Sequence, residues 1–256
     1  MAGIDPKLVE ELRQQGRYDE VLTLLQQAFC AVELLSEPTW SDLFMTMLEW
    51  KELAGEHGPA RTALAQVRDE QVLHLAAGDL YVGRRDPARA GEHIFGRIKR
   101  FWLIIELNEV LGDARSTWKL FTELEADRPD LAREYAWRAL PAIVASGDFA
   151  LADRYRGEPL RMLDSVNEAS RALPLFPLQD GAPRLAAELM SLVGDVSIGA
   201  AVLRGQGRED RAAELCNALL AGIESEEVKA WARRELDAPG SINNALVERS
   251  MPPEGA

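Results

Sequence analysis

Gln15-Gly16-Arg17-Tyr18-Asp19-Glu20-Val21, followed seven residues later by Ala28, joins two helical patterns through a tight turn. Upstream, Leu8, Val9 and Leu12 share one face of a helix; downstream, Val21, Leu24, Leu25 and Ala28 do the same. Gly16 can take the positive φ that ends the first helix without a side-chain clash. Asp19 and Glu20 place negative charge in the first turn of the second helix, where unpaired backbone amides favour it. The stretch therefore predicts two helices folded back on one another.

The same grammar returns at His57-Gly58-Pro59-Ala60-Arg61-Thr62-Ala63, Leu111-Gly112-Asp113-Ala114-Arg115, Ser146-Gly147-Asp148-Phe149-Ala150 and Gln206-Gly207-Arg208-Glu209-Asp210. Phe149 stands where the first turn has Tyr18, and Ala200 is small enough to mark a close helix approach. A Gln-Gly-x-Tyr-Asp-Glu turn with Ala seven residues beyond it resembles the tetratricopeptide (TPR) repeat. The glycines at 16, 58, 112, 147 and 207 are separated by 42, 54, 35 and 60 residues, whereas a regular TPR array repeats every ~34. The resemblance thus covers about five hairpin turns and implies an irregular, TPR-like α-solenoid: a right-handed stack of helical hairpins. It also implies scaffold, co-chaperone or secretion-chaperone work, done by gripping a peptide.

Composition agrees with an all-α fold. The chain is 256 residues long and 47% hydrophobic but only 7% aromatic, and it is rich in Ala, Leu, Glu and Arg, the strong helix formers. No sustained run alternates apolar with polar residues, so almost no sheet is expected. A single helical domain over 1–238 and a flexible tail over 239–256 are expected, because Asp237-Ala238-Pro239-Gly240 stops the last helix. Long intervals between the glycines need further helices over 40–55, 60–76, 130–145, 160–173, 183–203 (with a break at Gly194-Asp195) and 225–236. Asp86-Pro87 reads as an N-cap followed by proline at the first helical position, opening a helix that reaches Leu111.

The connector over 173–183, Leu173-Pro174-Leu175-Phe176-Pro177-Leu178-Gln179-Asp180-Gly181-Ala182-Pro183, is more apolar than a solvated linker. Leu175, Phe176 and Leu178 read either as a plug between helical layers or as a mobile flap over a groove.

Catalytic and metal motifs are missing. His57, His74 and His93 are the only histidines and fall in different elements; there is no His-Glu-x-x-His, Cys-x-x-Cys, Gly-x-Ser-x-Gly or Gly-x-x-x-x-Gly-Lys. Acidic pairs such as Glu106/Glu109 and Asp148/Asp153 arise by chance among 42 Asp and Glu. No catalytic, cofactor or metal residue is assigned, and an enzyme is not expected. Cys30 and Cys216, 186 positions apart, read as thiols filling helix faces, and a disulfide would need the chain ends to meet. A net charge of −13 argues against nucleic acid, whose binders carry basic footprints. The most apolar run, Phe101-Trp102-Leu103-Ile104-Ile105, falls far short of the ~20 residues of a membrane span. With no basic segment leading into an apolar one at the N-terminus, a cytoplasmic protein is expected.

One segment departs from this acidic background. Arg84, Arg85, Arg89, Arg97, Lys99 and Arg100 face only Asp86 and Glu92, a local +4. On a helix opened by Pro87, Arg89, His93, Arg97 and Arg100 form one stripe. Such a stripe could grip a carboxylate-bearing or acidic peptide, since Arg holds carboxylates bidentately. It could equally be a solvated face, or a brace against the helix carrying Glu49, Glu52 and Glu56. The leading functional expectation is a non-catalytic protein-binding adaptor, scaffold or chaperone-like module. A helical-scaffold enzyme or small-molecule sensor with a site assembled from distant residues, and a structural oligomer subunit, are the alternatives. A closed pocket with buried polar groups would favour the sensor or enzyme, an open groove the adaptor, and a large exposed apolar patch the oligomer subunit.

Overall fold

Helix termination by glycine organises the architecture. The computed structural model describes residues 4–84, 96–177 and 181–250. Thirteen helices and no strand occur among them. The first pair, α1 (Pro6–Gln14) and α2 (Tyr18–Leu34), is followed by α3 (Trp40–Glu56), α4 (Gly58–Ala76), α5 (Arg100–Leu111), α6 (Ala114–Asp127), α7 (Pro129–Ala145) and α8 (Phe149–Tyr155). Then come α9 (Leu163–Ala172), α10 (Arg184–Gly205), α11 (Glu209–Gly222), α12 (Glu226–Asp237) and α13 (Ser241–Ser250).

One backbone device recurs at the turns α1–α2, α5–α6, α7–α8 and α10–α11. Gly16, Gly112, Gly147 and Gly207 have φ of 70°, 66°, 79° and 72°. At each, the glycine N–H donates to the carbonyl three residues back, and the next N–H to the carbonyl five residues back. Arg17 N–H to Leu12 O (2.9 Å) and Asp113 N–H to Asn108 O (2.8 Å) are examples. This is the Schellman arrangement, which satisfies carbonyls that the helix end leaves bare. Two of the next helices are capped by the residue after the glycine: Asp113 accepts from the Ser116 N–H, and Asp148 from the Leu151 N–H. The turn at Gly58 differs. His57 is extended, with φ −129°, and Gly58 already belongs to α4 with Pro59 in its first turn.

The chain divides into two compact units, Met1–Ala139 and Leu140–Ala256, where a single domain was expected from the sequence. In the first, α1 packs on α2, α2 on α3 and α4, α3 on α4, α4 on α5, and α5 on α6. Its core holds Val21, Leu25, Phe29, Leu43, Trp50, Leu53, Leu64, Leu103 and Leu107. Trp50 is fully buried; its indole N–H donates to the Ala60 carbonyl at 3.0 Å, and its ring meets Phe29 edge-on, 6.1 Å between centroids. Tyr18 packs against this core and lies 5.6 Å from the His57 ring.

In the second unit α10 is the central helix, packed by α8, α9, α11 and α12. It runs unbroken through Gly194-Asp195, against the expected interruption, because Leu192, Val193 and Val196 are buried on either side of that pair. It is the one described helix long and apolar enough to cross a membrane, and its neighbours place it as a core helix. Leu175 is buried in the same core, and half-buried Phe176 packs edge-on against Trp231 at 4.9 Å, with the Arg249 guanidinium 4.1 Å over its ring. Leu178 lies outside the described residues.

The expected tail from 239 onward is corrected by α13. Ile242, Ala245 and Leu246 repeat with helical spacing, and Ile242 is fully buried in the unit-two core. The Glu235 carboxylate accepts from Gly240 N–H, Ser241 Oγ–H and Ile242 N–H, so the end of α12 caps the start of α13. Residues 251–256 lie outside the described set.

Candidate docking groove

The helix that reaches Leu111 starts at Arg100, and residues 96–99 before it are not helical. Arg97 and Lys99 lie in an extended segment instead, bridged to Thr39 and Tyr81, so Arg97 and Arg100 do not share a helix face. The backbone of this segment pairs with its neighbours, with Val82 N–H donating to Ile98 O and Arg100 N–H to Leu80 O, which competes with helix. The Arg97 guanidinium stacks 4.5 Å over the Tyr81 ring. Arg100 is only 3% exposed. It donates to the Asp79 carboxylate at 2.7 Å, the Tyr81 carbonyl at 2.7 Å, the Asp79 carbonyl at 3.0 Å and the Gln71 side chain. Its donors are thus consumed inside the protein. Arg89 and His93 lie outside the described residues. Glu49, Glu52 and Glu56 all surround Arg13 of α1, with Glu56 at 2.8 Å and Glu49 at 3.7 Å.

A different site takes shape on α3. The capping box of Thr39 and Asp42 starts this helix. Leu43, Thr46, Trp50 and Leu53 then turn into the core, and Glu49, Glu52 and Glu56 turn to α1. That leaves Trp40, Phe44, Met47, Leu48 and Lys51, spaced 4, 3, 1 and 3 residues apart, on a third face. Opposite them on α5, Trp102, Glu106 and Val110 form an i, i+4, i+8 stripe, while Leu103, Ile104, Ile105, Leu107 and Asn108 are buried. Between the two faces lies an open groove of about 360 Å³, lined by Trp40, Phe44, Met47, Leu48, Lys51, Glu106 and Val110.

Phe44 is 59% exposed and Leu48 40%; side chains this apolar normally find cover. The apolar surface continues beyond the lining. Glu106 is paired with Arg138, the Arg138 guanidinium lies 5.5 Å from the Trp137 ring, and Trp137 meets Trp102 edge-on at 5.7 Å. Trp137 is itself 57% exposed. Lys99 sits 4.8 Å over the Trp102 ring and pairs with Glu134. Contiguous exposed apolar surface rimmed by charge is the signature of an interaction site.

Glu109 stands beside Val110, one turn on from Glu106. Desolvation lifts its carboxyl above the ordinary range and the Glu106 charge adds to this, outweighing Arg138 and Lys51, which pull the other way. No group of three or more His, Cys, Asp or Glu able to hold a metal occurs among the described residues. Both cysteines are free thiols; Cys30 is exposed rather than buried on its helix face, and Cys216 is half-buried. The sequence places Phe44, Met47 and Leu48 on the helix over 40–55 without separating them from its buried Leu43 and Trp50. The available signal was their angular spread: with Leu43 and Trp50 they cover too wide an arc of α3 for one core-facing stripe.

No protein-family model matches the chain, and neither does any curated protein or solved structure.

Proposed function

We propose that the protein is a non-catalytic protein-binding adaptor that uses the α3/α5 groove to hold a partner. The observation that carries this reading is the groove's combination of openness and apolar lining, with Phe44 and Leu48 turned to solvent. Sites that bind small substrates usually enclose them and converge several polar groups on them; this lining offers Lys51 and Glu106, the latter already paired with Arg138. The proposal includes a TPR-like stacking of the hairpins in the first unit. Recurrent glycine turns support it, as does the packing of α2 on α3 and α4 and of α4 on α5.

The test is affinity capture from the native host with the wild-type chain and with a Phe44→Glu/Leu48→Glu variant, read by quantitative mass spectrometry. Both side chains are largely exposed, so the variant should stay folded, with an unchanged melt. A partner recovered in stoichiometric amount by the wild type and lost by the variant supports the adaptor. Identical recovery by both overturns it. A wild-type oligomer that the variant dissolves favours the structural-subunit reading instead.

A further inference from the structure

In the second unit, Arg234 of α12 and Arg249 of α13 are held by aromatic rings rather than by acids. The Arg249 guanidinium lies 4.1 Å over the Phe176 ring and the Arg234 guanidinium 4.7 Å over the Trp231 ring, and the two rings meet edge-on at 4.9 Å. Both arginines are exposed, and neither side chain makes a hydrogen bond or ion pair with a described residue. The chain has 42 Asp and Glu, and in the same unit Arg156, Arg161, Arg171 and Arg184 each reach a carboxylate. The acids nearest to Arg234 and Arg249 in sequence do not serve them. Glu235 gives its carboxylate to the start of α13, and Asp237 and Glu248 form no ion pair among the described residues.

Contact with a ring engages the charge of a guanidinium but none of its N–H donors. The rings are themselves fixed: Leu175, next to Phe176, is buried, and Phe176 and Trp231 both pack against the core of this unit. A guanidinium held in this way has given up freedom before a ligand arrives, which lowers the cost of binding one. Its planar fork suits a carboxylate. The three contacts keep the two guanidinium carbons within about 14 Å of one another, the span of some four extended residues. Nucleic acid would ask for a broad basic footprint, which a chain of net charge −13 does not favour, whereas two carboxylates ask for two cations.

We propose that Phe176, Trp231, Arg234 and Arg249 form an interaction surface for an acidic segment of a partner protein. Two Asp or Glu side chains of that segment, no more than about four residues apart, each take one arginine. An apolar residue between them lies against the half-buried rings. The surface belongs to the second unit and does not depend on the α3/α5 groove.

Two labelled peptides test it against the full chain by fluorescence anisotropy: one built around Glu-x-Leu-x-Glu, the other with Gln in place of both Glu. The overall charge of the chain repels the Glu peptide, so a preference for it has to arise from contacts. The Glu peptide should bind ~10-fold or more tighter than the Gln peptide, as charge complementarity at an interface requires. Arg234→Gln/Arg249→Gln should bring the two peptides to parity with an unchanged melt, since both side chains are exposed. Equal binding of the two peptides by the wild type, binding of neither, or a Glu preference that survives in the folded double variant overturns the proposal. Should the double variant fail to fold, Arg234→Gln and Arg249→Gln are measured singly. Each should then lose part of the preference, and a preference kept whole by both overturns the proposal. A short oligothymidylate held more tightly than the Glu peptide would make this a nucleic-acid surface and likewise overturn it.

Discussion

Gly205, the last residue of α10, lies so close to Phe149 at the start of α8 that a Cβ on the glycine would sit 2.2 Å from the ring. The aromatic that follows the third Schellman turn is therefore seated on bare backbone. Gly205→Ala adds helix propensity of up to ~1 kcal/mol but forces the ring to shift, which costs about 1–3 kcal/mol in a packed site. The expected result is a lower melting temperature. Adding Phe149→Leu to Gly205→Ala should recover part of the loss, which a mere propensity effect would not allow.

At Gly16 the same arithmetic has a different origin. Nothing lies within 4 Å of a Cβ there, and φ is +70°, so any penalty is backbone strain alone. Gly16→Val should cost roughly 1–2 kcal/mol, and Gly16→Asn much less, because Asn tolerates the left-handed region. Thermal denaturation of the two variants, with hydrogen exchange on α1 and α2, separates them. Equal melts would remove the turn from the account of the fold.

Arg100 is a structural cation. Removing it as Arg100→Ala strands Gln71 and the Tyr81 carbonyl beside the half-exposed Asp79 carboxylate, and losing hydrogen bonds to a charged group of this kind costs ~1.5–3 kcal/mol. Arg100→Lys should recover only part, since an ammonium cannot span acceptors laid out for a planar fork. Chemical denaturation gives both values. A near-neutral Arg100→Ala would return this residue to the list of groups free to meet a ligand.

Asp113 links stability to pH. Its hydrogen bond from the Ser116 hydroxyl, then the one from the Ser116 N–H and the neighbouring Arg68, hold its carboxyl below the usual carboxylate range, and partial desolvation opposes them. A lowered folded-state value means that the ionised form favours the native state. The contribution is complete above the unfolded-state value and disappears as pH falls through the folded-state one. Asp113→Ala should therefore destabilise by about 0.5–2 kcal/mol at neutral pH, as loss of a helix cap does. The gap between the variant and the wild type should narrow below pH ~4. A gap that stays constant as the pH falls well below that range contradicts the assignment.

The helical class and the hairpin turns were legible because they depend on local rules. Glycine past a helix end, an acid after it and a 3.6-residue apolar period can each be read without knowing what packs on what. The failures are long-range. Arg97 looked helical beside Arg100, yet backbone partners from 38 and 80–82 draw 96–99 into an extended path. Arg100 looked available because burial by Gln71 and Asp79, twenty or more residues away, leaves no mark in the local pattern. The groove was hidden for the converse reason. An exposed Phe44 and a buried Leu43 are both simply apolar in sequence, and only the position of α5 tells them apart. Beyond Pro239-Gly240, two breakers outweighed Ile242, Ala245 and Leu246, although these three carried the correct period.

Every side of α3 that a neighbour or the solvent could use is in service: Leu43 and Trp50 inward, Glu52 and Glu56 to Arg13, Phe44 and Leu48 outward. Such a helix has lost its freedom of register. Inserting one residue ahead of Leu43 would rotate everything after it by about 100°, exchanging the three faces at once. Point substitutions on α3 can be absorbed one face at a time, but length changes cannot. Over the course of divergence this helix should keep its residue count while the turn glycines, with open space where a Cβ would stand, admit insertions around them.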